Sequence, residues 1–250
     1  MIRIINKPHL PQGQVRQVII GNKYRNLLEN ALFEHNIEVF WLDDNPCVDE
    51  RLRGHADLSV LHTGSNKLYC CEYLENSNIV NNLTNLGFEV QYTKNPQKDY
   101  PLDAGLNICI LNDKLFYNSK SAYSIVIESI KEKEKIQIKQ GYTKCSVCVV
   151  NENAIITSDR IIHRKATENK IQSLLIEKPF VKLDGFEHGF IGGASFKLNK
   201  NKIAFTGRIL DNEIRNKIES YLQKLSITPV YLTEHEIFDI GSAVVLTEDI

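Results

Sequence analysis

Short apolar runs broken by Asn, Asp or Gly recur along the chain, and each reads as a β-hairpin. The first occupies residues 57–62, turns at Gly64 and Ser65 and returns through residues 67–70. The second runs through residues 106–111, turns at Asn112 and Asp113 and returns through 114–117. The third pairs residues 145–150 with 154–157, and the fourth pairs 194–198 with 202–205. The turns recur at about 40–50 residues, a spacing typical of repeat architectures.

Helical periodicity fills the gaps. Tyr24, Leu27, Leu28, Ala31 and Leu32 repeat at helical spacing, as do Ile79, Leu83 and Leu86. Tyr123, Val126, Ile127 and Ile130 form a third set. Ile171, Leu174 and Leu175 form a fourth, and Ile214, Ile218, Leu222 and Leu225 a fifth. Short strands follow most of them, at residues 37–41, 88–92, 136–138 and 227–231. The repeating unit is therefore helix, strand, hairpin, occurring about five times. Residues 242–247 make one strand of a fifth hairpin, and residues 16–21 supply its partner. Pairing the first strand with the last closes a ring and leaves no open blade edge. The fold class is α/β, a five-bladed pseudo-symmetric propeller, with residues 1–250 read as a single domain. A doubly wound sheet would alternate single strands with helices instead.

Composition agrees with a packed core: 42% of the 250 residues are hydrophobic and 24% charged. The net charge of −1 gives no field that would draw nucleic acid or an anionic membrane. The alternation of Lys131, Lys133 and Lys135 with Glu128, Glu132 and Glu134 reads as a solvated helix end. No apolar run reaches membrane-spanning length and the first residues carry no signal-peptide pattern, so a cytoplasmic address is expected. The six cysteines are expected to be reduced thiols, most of them small buried hydrophobes.

A ring of five helix-plus-sheet units resembles the pentein fold of guanidino-group-modifying enzymes, which includes deiminases, dimethylarginine hydrolases and amidinotransferases. The stretches 140–146 (Gln-Gly-Tyr-Thr-Lys-Cys-Ser) and 189–195 (Gly-Phe-Ile-Gly-Gly-Ala-Ser) also resemble an uncharacterised bacterial family of that fold. The resemblance implies a Cys nucleophile, a His acid/base and carboxylates that grip a planar cation, all near the starts of the hairpins. It implies no cofactor and no metal, and a guanidino or amidino small molecule as the partner. A homo-oligomer is also open.

Two registers follow. In one, His55-Ala56-Asp57 matches the His-x-Asp or His-x-Glu signature, both residues sharing a strand face. Two hairpins later stands Gly141-Tyr-Thr-Lys-Cys145 in the position of the nucleophile. The enzymes place that Cys near their C-terminus, so this register requires a circular permutation, which a closed ring tolerates. Here Cys145 is the nucleophile, His55 the acid/base, and Asp57 orients His55 or binds substrate. Lys144 points to the opposite strand face, and backbone amides with His55 lower the thiol pKa. The candidate cation grips are Asp103, Asp184 or Glu187, and Asp239, with Asn107 and Ser195 adding hydrogen bonds. In the unpermuted register Val245 falls at the nucleophile position, and the chain is a catalytically inactive binding module for a small molecule or protein.

Other constellations are less specific. Cys145 and Cys148 lie three apart on a strand, on opposite faces, which argues against a disulfide or a shared metal. His62 with Cys70 and Cys71 is a zinc site in composition only. His188 reads as a loop residue.

Overall fold

The computed structural model describes residues 1–249. In chain order the first unit is β1 (Ile2–Ile4), β2 (Val15–Gly21), α1 (Arg25–Glu34) and β3 (Glu38–Leu42). The second is β4 (Val60–Gly64), β5 (Lys67–Cys71), α2 (Asn78–Asn85) and β6 (Glu89–Thr93). The third is β7 (Cys109–Leu111), β8 (Lys114–Tyr117), α3 (Ser124–Ser129) and β9 (Glu134–Gln137). The fourth is β10 (Val147–Asn151), β11 (Ala154–Thr157), α4 (Arg160–Glu168) and β12 (Gln172–Leu175). The fifth is β13 (Ser195–Asn199), β14 (Lys202–Phe205), α5 (Asn212–Lys224) and β15 (Thr228–Tyr231), after which β16 (Val244–Asp249) returns to the first.

Units two to five are three-stranded sheets of one plan. An antiparallel hairpin comes first, and its second strand pairs in parallel with a third strand reached through the helix. In the first unit β16 takes the place of the hairpin's first strand. It lies antiparallel to β2, with Val244 opposite Ile19 and Val245 opposite Val18, and β1 pairs along its other edge. The two ends of the described chain thus share one sheet.

Alternation along the strands turns five sheets into a ring. Successive side chains leave opposite faces of a strand, so both faces must find apolar partners. In β2, Val18 and Ile20 join Phe196, Leu198 and Ala204 of the fifth blade. Ile19 faces the other way, with Val60, Leu68 and Cys70 of the second. In β5, Tyr69 and Cys71 turn from that cluster to Leu106, Ile108 and Leu115 of the third blade. Cys109, Leu111 and Phe116 then meet Val147, Val149 and Ile155 of the fourth. Finally Cys148, Ala154 and Ile156 meet Ile203 and Phe205 of the fifth. Five apolar cores therefore alternate with five blades. Each fully buried aliphatic side chain in them contributes about 1.5–3 kcal/mol.

Helix starts are fixed locally. Asp211 accepts from the Glu213 and Ile214 amides at 2.9 and 3.1 Å and caps α5, whose Ile214, Ile218 and Leu222 are buried at i, i+4, i+8. Asp159 caps α4 in the same way at 2.7 and 2.9 Å. Among the described residues no helix is long and apolar enough to cross a membrane.

Two details differ from the sequence reading. The fourth helix lies at Arg160–Glu168, and the Leu174–Leu175 pair belongs to strand β12. The hairpins also begin later than the apolar runs suggest. Residues 56–58 form a 3-10 turn before β4, and Cys145 precedes β10.

Candidate active site

Because the runs open as turns, His55, Asp57 and Cys145 sit on loops at one end of the ring rather than on strand faces. His55 precedes the Ala56–Leu58 turn with extended backbone, and Asp57 lies within that turn. The Asp57 amide donates to the Gly241 carbonyl at 3.2 Å, joining the second blade to the approach to β16. Gly241 has φ +67°, and a Cβ there would overlap the His55 Cβ, so only glycine permits this approach. Ser242 follows at φ +61°.

All three side chains are nearly inaccessible, with Cys145 2%, His55 3% and Asp57 4% exposed. One donor atom from each lies within 4.8 Å of the others. Cys145 Sγ donates to Asp57 Oδ2 at 2.9 Å and accepts from Asn107 Nδ2 at 3.3 Å. Asn107 also fixes the backbone beneath the thiol, its Oδ1 accepting from the Lys144 and Cys145 amides at 2.7 and 3.2 Å. Asp57 Oδ1 and His55 Nε2 are buried without hydrogen-bond partners in the protein. Such groups cost stability unless something else satisfies them, and here both belong to the same cluster.

The electrostatics run against the expected activated thiol. Burial, then the charges of Asp57 and Asp239, then the bond to Asp57, push the Cys145 thiol well above its ordinary pKa. Burial raises Asp57 to about 7, opposed chiefly by its bond from Cys145. Burial also lowers the His55 pKa against the pull of Asp239. The free site at neutral pH therefore holds a protonated thiol and a neutral imidazole. A nearby positive charge would reverse the balance at Cys145 and Asp57 together.

Above the cluster lies a cavity of about 130 Å³. His55, Cys145, His188 and Asp239 form its polar part, and Tyr142, Leu183, Phe186 and Phe190 give it aromatic and apolar walls. Asp239 is 2% exposed and accepts from the Phe190 amide at 2.9 Å and the Gly241 amide at 2.8 Å. A Cβ on Gly193 would overlap its carboxylate. Residues 183–190 roof the cavity. Arg51 holds that roof, its guanidinium 4.1 Å from the Phe186 ring centroid and bonded to the Gly185 carbonyl at 2.9 Å.

The remaining candidates divide. Asp239 lines the cavity and Asn107 holds the thiol. Asp103, 2% exposed, reaches the cavity through Tyr142, whose hydroxyl donates to its Oδ2. Asp184 is exposed and faces a neighbouring cleft with Lys23 and Tyr24. Glu187 is exposed on the roof loop and does not line the cavity. Ser195 is buried with its hydroxyl committed to the Ile191 carbonyl at 2.7 Å. None of these last three meets Cys145, because the 183–190 segment turns its apolar side chains inward and Ser195 lies on the strand beyond. Lys144 does not point away into a strand face. Its ammonium turns inward to the Gly192 carbonyl at 3.1 Å and Ser242 Oγ at 2.8 Å. Val245, the alternative nucleophile position, packs in the core between the first and fifth blades.

Tyr142, Lys144, the Gly241-Ser242 pair and the aromatic roof were not assigned from sequence. Tyr142 was within reach, lying in the same Gly-x-x-x-Cys stretch. His188 also lines the cavity. His55, Asp57 and Cys145 are, among the described residues, the one set of His, Cys and carboxylate groups close enough to share a metal ion. Their N, O and S donors would suit zinc. His62 makes no such set, its ring nitrogens lying 3.2 and 2.8 Å from the Val245 and Ser65 carbonyls.

Five helix-plus-sheet blades around a buried Cys, His and Asp define a pentein-fold protein. Solved structures agree. Over 98% of this chain and 97% of theirs, the superposition on the inosamine-phosphate amidinotransferase StrB1 from Streptomyces griseus has a TM-score of 0.57 at 9% identity. SxtG, an amidinotransferase from Microseira wollei in the saxitoxin biosynthetic pathway, gives 0.57 at 10% identity over 91% of each chain. The C. jejuni agmatine deiminase gives 0.55 at 12% identity over 93% of this chain and 90% of that one. These likenesses establish the fold. No curated protein sequence matches the chain. The chain belongs to the family of unknown function DUF6873, whose profile matches residues 19–244.

Proposed function

We propose that the Cys145 cavity binds a guanidinium or amidinium group and that Cys145 attacks its central carbon, making the protein a cofactor-independent hydrolase or transferase. The observation that carries this reading is the buried triad, with three donor atoms within 4.8 Å and an unpartnered carboxylate oxygen on Asp57. A planar cation supplies the donors that oxygen lacks, and Asp239 adds a second negative charge at the cavity wall. The bound cation offsets the charges that keep the thiol protonated, so activation waits for substrate. The thiol proton passes to Asp57 as the S–C bond forms. Asp57 passes that same proton on to His55, which delivers it to the departing nitrogen as the C–N bond breaks, leaving a thiouronium-type adduct on Cys145. Water or an amine then attacks that carbon and gives up a proton to His55, and as the C–S bond breaks that proton returns through Asp57 to the thiolate. Asn107 and Asp103, the latter through Tyr142, position the thiol and the cavity wall.

A second reading has its own observation. A thiol raised this far in pKa and 2% exposed suits a protein that binds the cation without reacting. The test is incubation with arginine, agmatine and dimethylarginine, followed by mass spectrometry at Cys145 and assay of released ammonia or amine. Turnover or an adduct that disappears in Cys145→Ser and His55→Ala supports catalysis. A guanidine that raises the melting temperature equally in the parent and Cys145→Ser, with neither adduct nor turnover, supports binding alone. With neither effect, both readings fail.

A further inference from the structure

A second cavity, of about 390 Å³, opens on the face of the ring that carries the hairpin turns. It is separated from Cys145 by the length of β10, roughly 16 Å for five residues. Four amide-bearing residues, Gln12, Asn151, Asn153 and Gln172, line its walls. Its floor carries Lys197, on β13, which is 2% exposed.

Lys197 is an anomaly. Its ammonium donates to one backbone carbonyl, that of Lys200, at 2.8 Å. Among the described residues no carboxylate lies within ion-pair distance of it. Glu152 is the one acid lining the cavity, and it is engaged by Lys7 at 2.8 Å. Lys200 adds a second positive charge at the rim. A buried cation is costly without a partner charge, and burial pushes this amine down to about 8. Amide groups around it can donate to an oxyanion and accept from its hydroxyls. We propose that this cavity is a binding site for a small oxyanion, a carboxylate or phosphate group, with Lys197 as its counter-ion. The site is independent of the chemistry at Cys145.

The test is isothermal titration calorimetry at pH 7 and fixed ionic strength, with inorganic phosphate and with malonate. Saturable binding of either probe below about 10 mM, weakened about tenfold or more in Lys197→Met and partly restored in Lys197→Arg, is expected. Binding of equal strength in Lys197→Met, or no saturation by either probe, overturns the proposal. If Lys197→Met does not fold, reductive methylation of the parent protein gives the answer. The saturating probe should slow modification of Lys197 several-fold more than that of exposed lysines, and equal slowing overturns the proposal.

Discussion

Replacing Asp57 by Asn isolates the cost of holding a carboxylate in the site. The folded pKa of about 7 lies about 3 units above the ordinary value near 4, mainly through burial. A carboxyl that holds its proton more tightly when folded stabilises the native state less and less as pH rises. The penalty is absent below about pH 4, grows through the window from about 4 to 7, and is complete above it. Three units correspond to about 4 kcal/mol. Asn keeps an acceptor for the Cys145 thiol and an outline like that of Asp but carries no charge. Some of the gain is offset by lost attraction to Lys144. Asp57→Asn is therefore expected to raise unfolding stability at pH 8 by about 2–4 kcal/mol and to change it little at pH 4.5. Urea unfolding at the two pH values reads the difference. Iodoacetamide labelling of Cys145 at pH 8 should also quicken, since a charge that holds the thiol protonated is gone. A variant no more stable than the parent at pH 8, or one whose effect is the same at both pH values, would refute the reasoning.

Three further outcomes are expected. Gly241→Ala must adopt φ +67° and push against His55, so it should destabilise the fold by about 2–4 kcal/mol in denaturant titration and abolish any activity at Cys145. Arg51→Ala releases the roof at Phe186 and Gly185, and Cys145 should label several-fold faster with little change in melting temperature. Asp211→Ala removes two capping bonds from α5 and should cost about 1 kcal/mol by chemical denaturation without altering Cys145 labelling.

The ring was legible because its signals are local. Asn112 and the Asn151–Asn153 turn mark hairpins by composition, and the apolar stripe of α5 shows its period directly. α4 was not legible, because its buried face is only Ile162 and Ala166 among charged residues, while the next strand happens to space its leucines helically. In the site, the places of His55, Asp57 and Cys145 in the repeat point to one end of the ring, where the structure brings them together, although the shared strand face expected of His55 and Asp57 does not hold. Turns deliver them instead. The direction of the Cys145 shift could not be read from sequence, since it depends on burial and on Asp239 arriving from another blade. The roof was hidden for the same reason: nothing near Cys145 in the chain announces Phe186 or Phe190.

The sharing of five apolar cores, each between two neighbouring blades, has a mechanical consequence. A linear array of repeats frays from its ends, where a unit has only one neighbour. Here each blade has two, and β16 lying between β1 and β2 gives the first blade the same standing as the rest. Opening any one blade exposes two cores at once, so no blade is the cheap place to begin. Amide exchange from the central strands should report one common opening free energy around the circle rather than a gradient from one blade to the next.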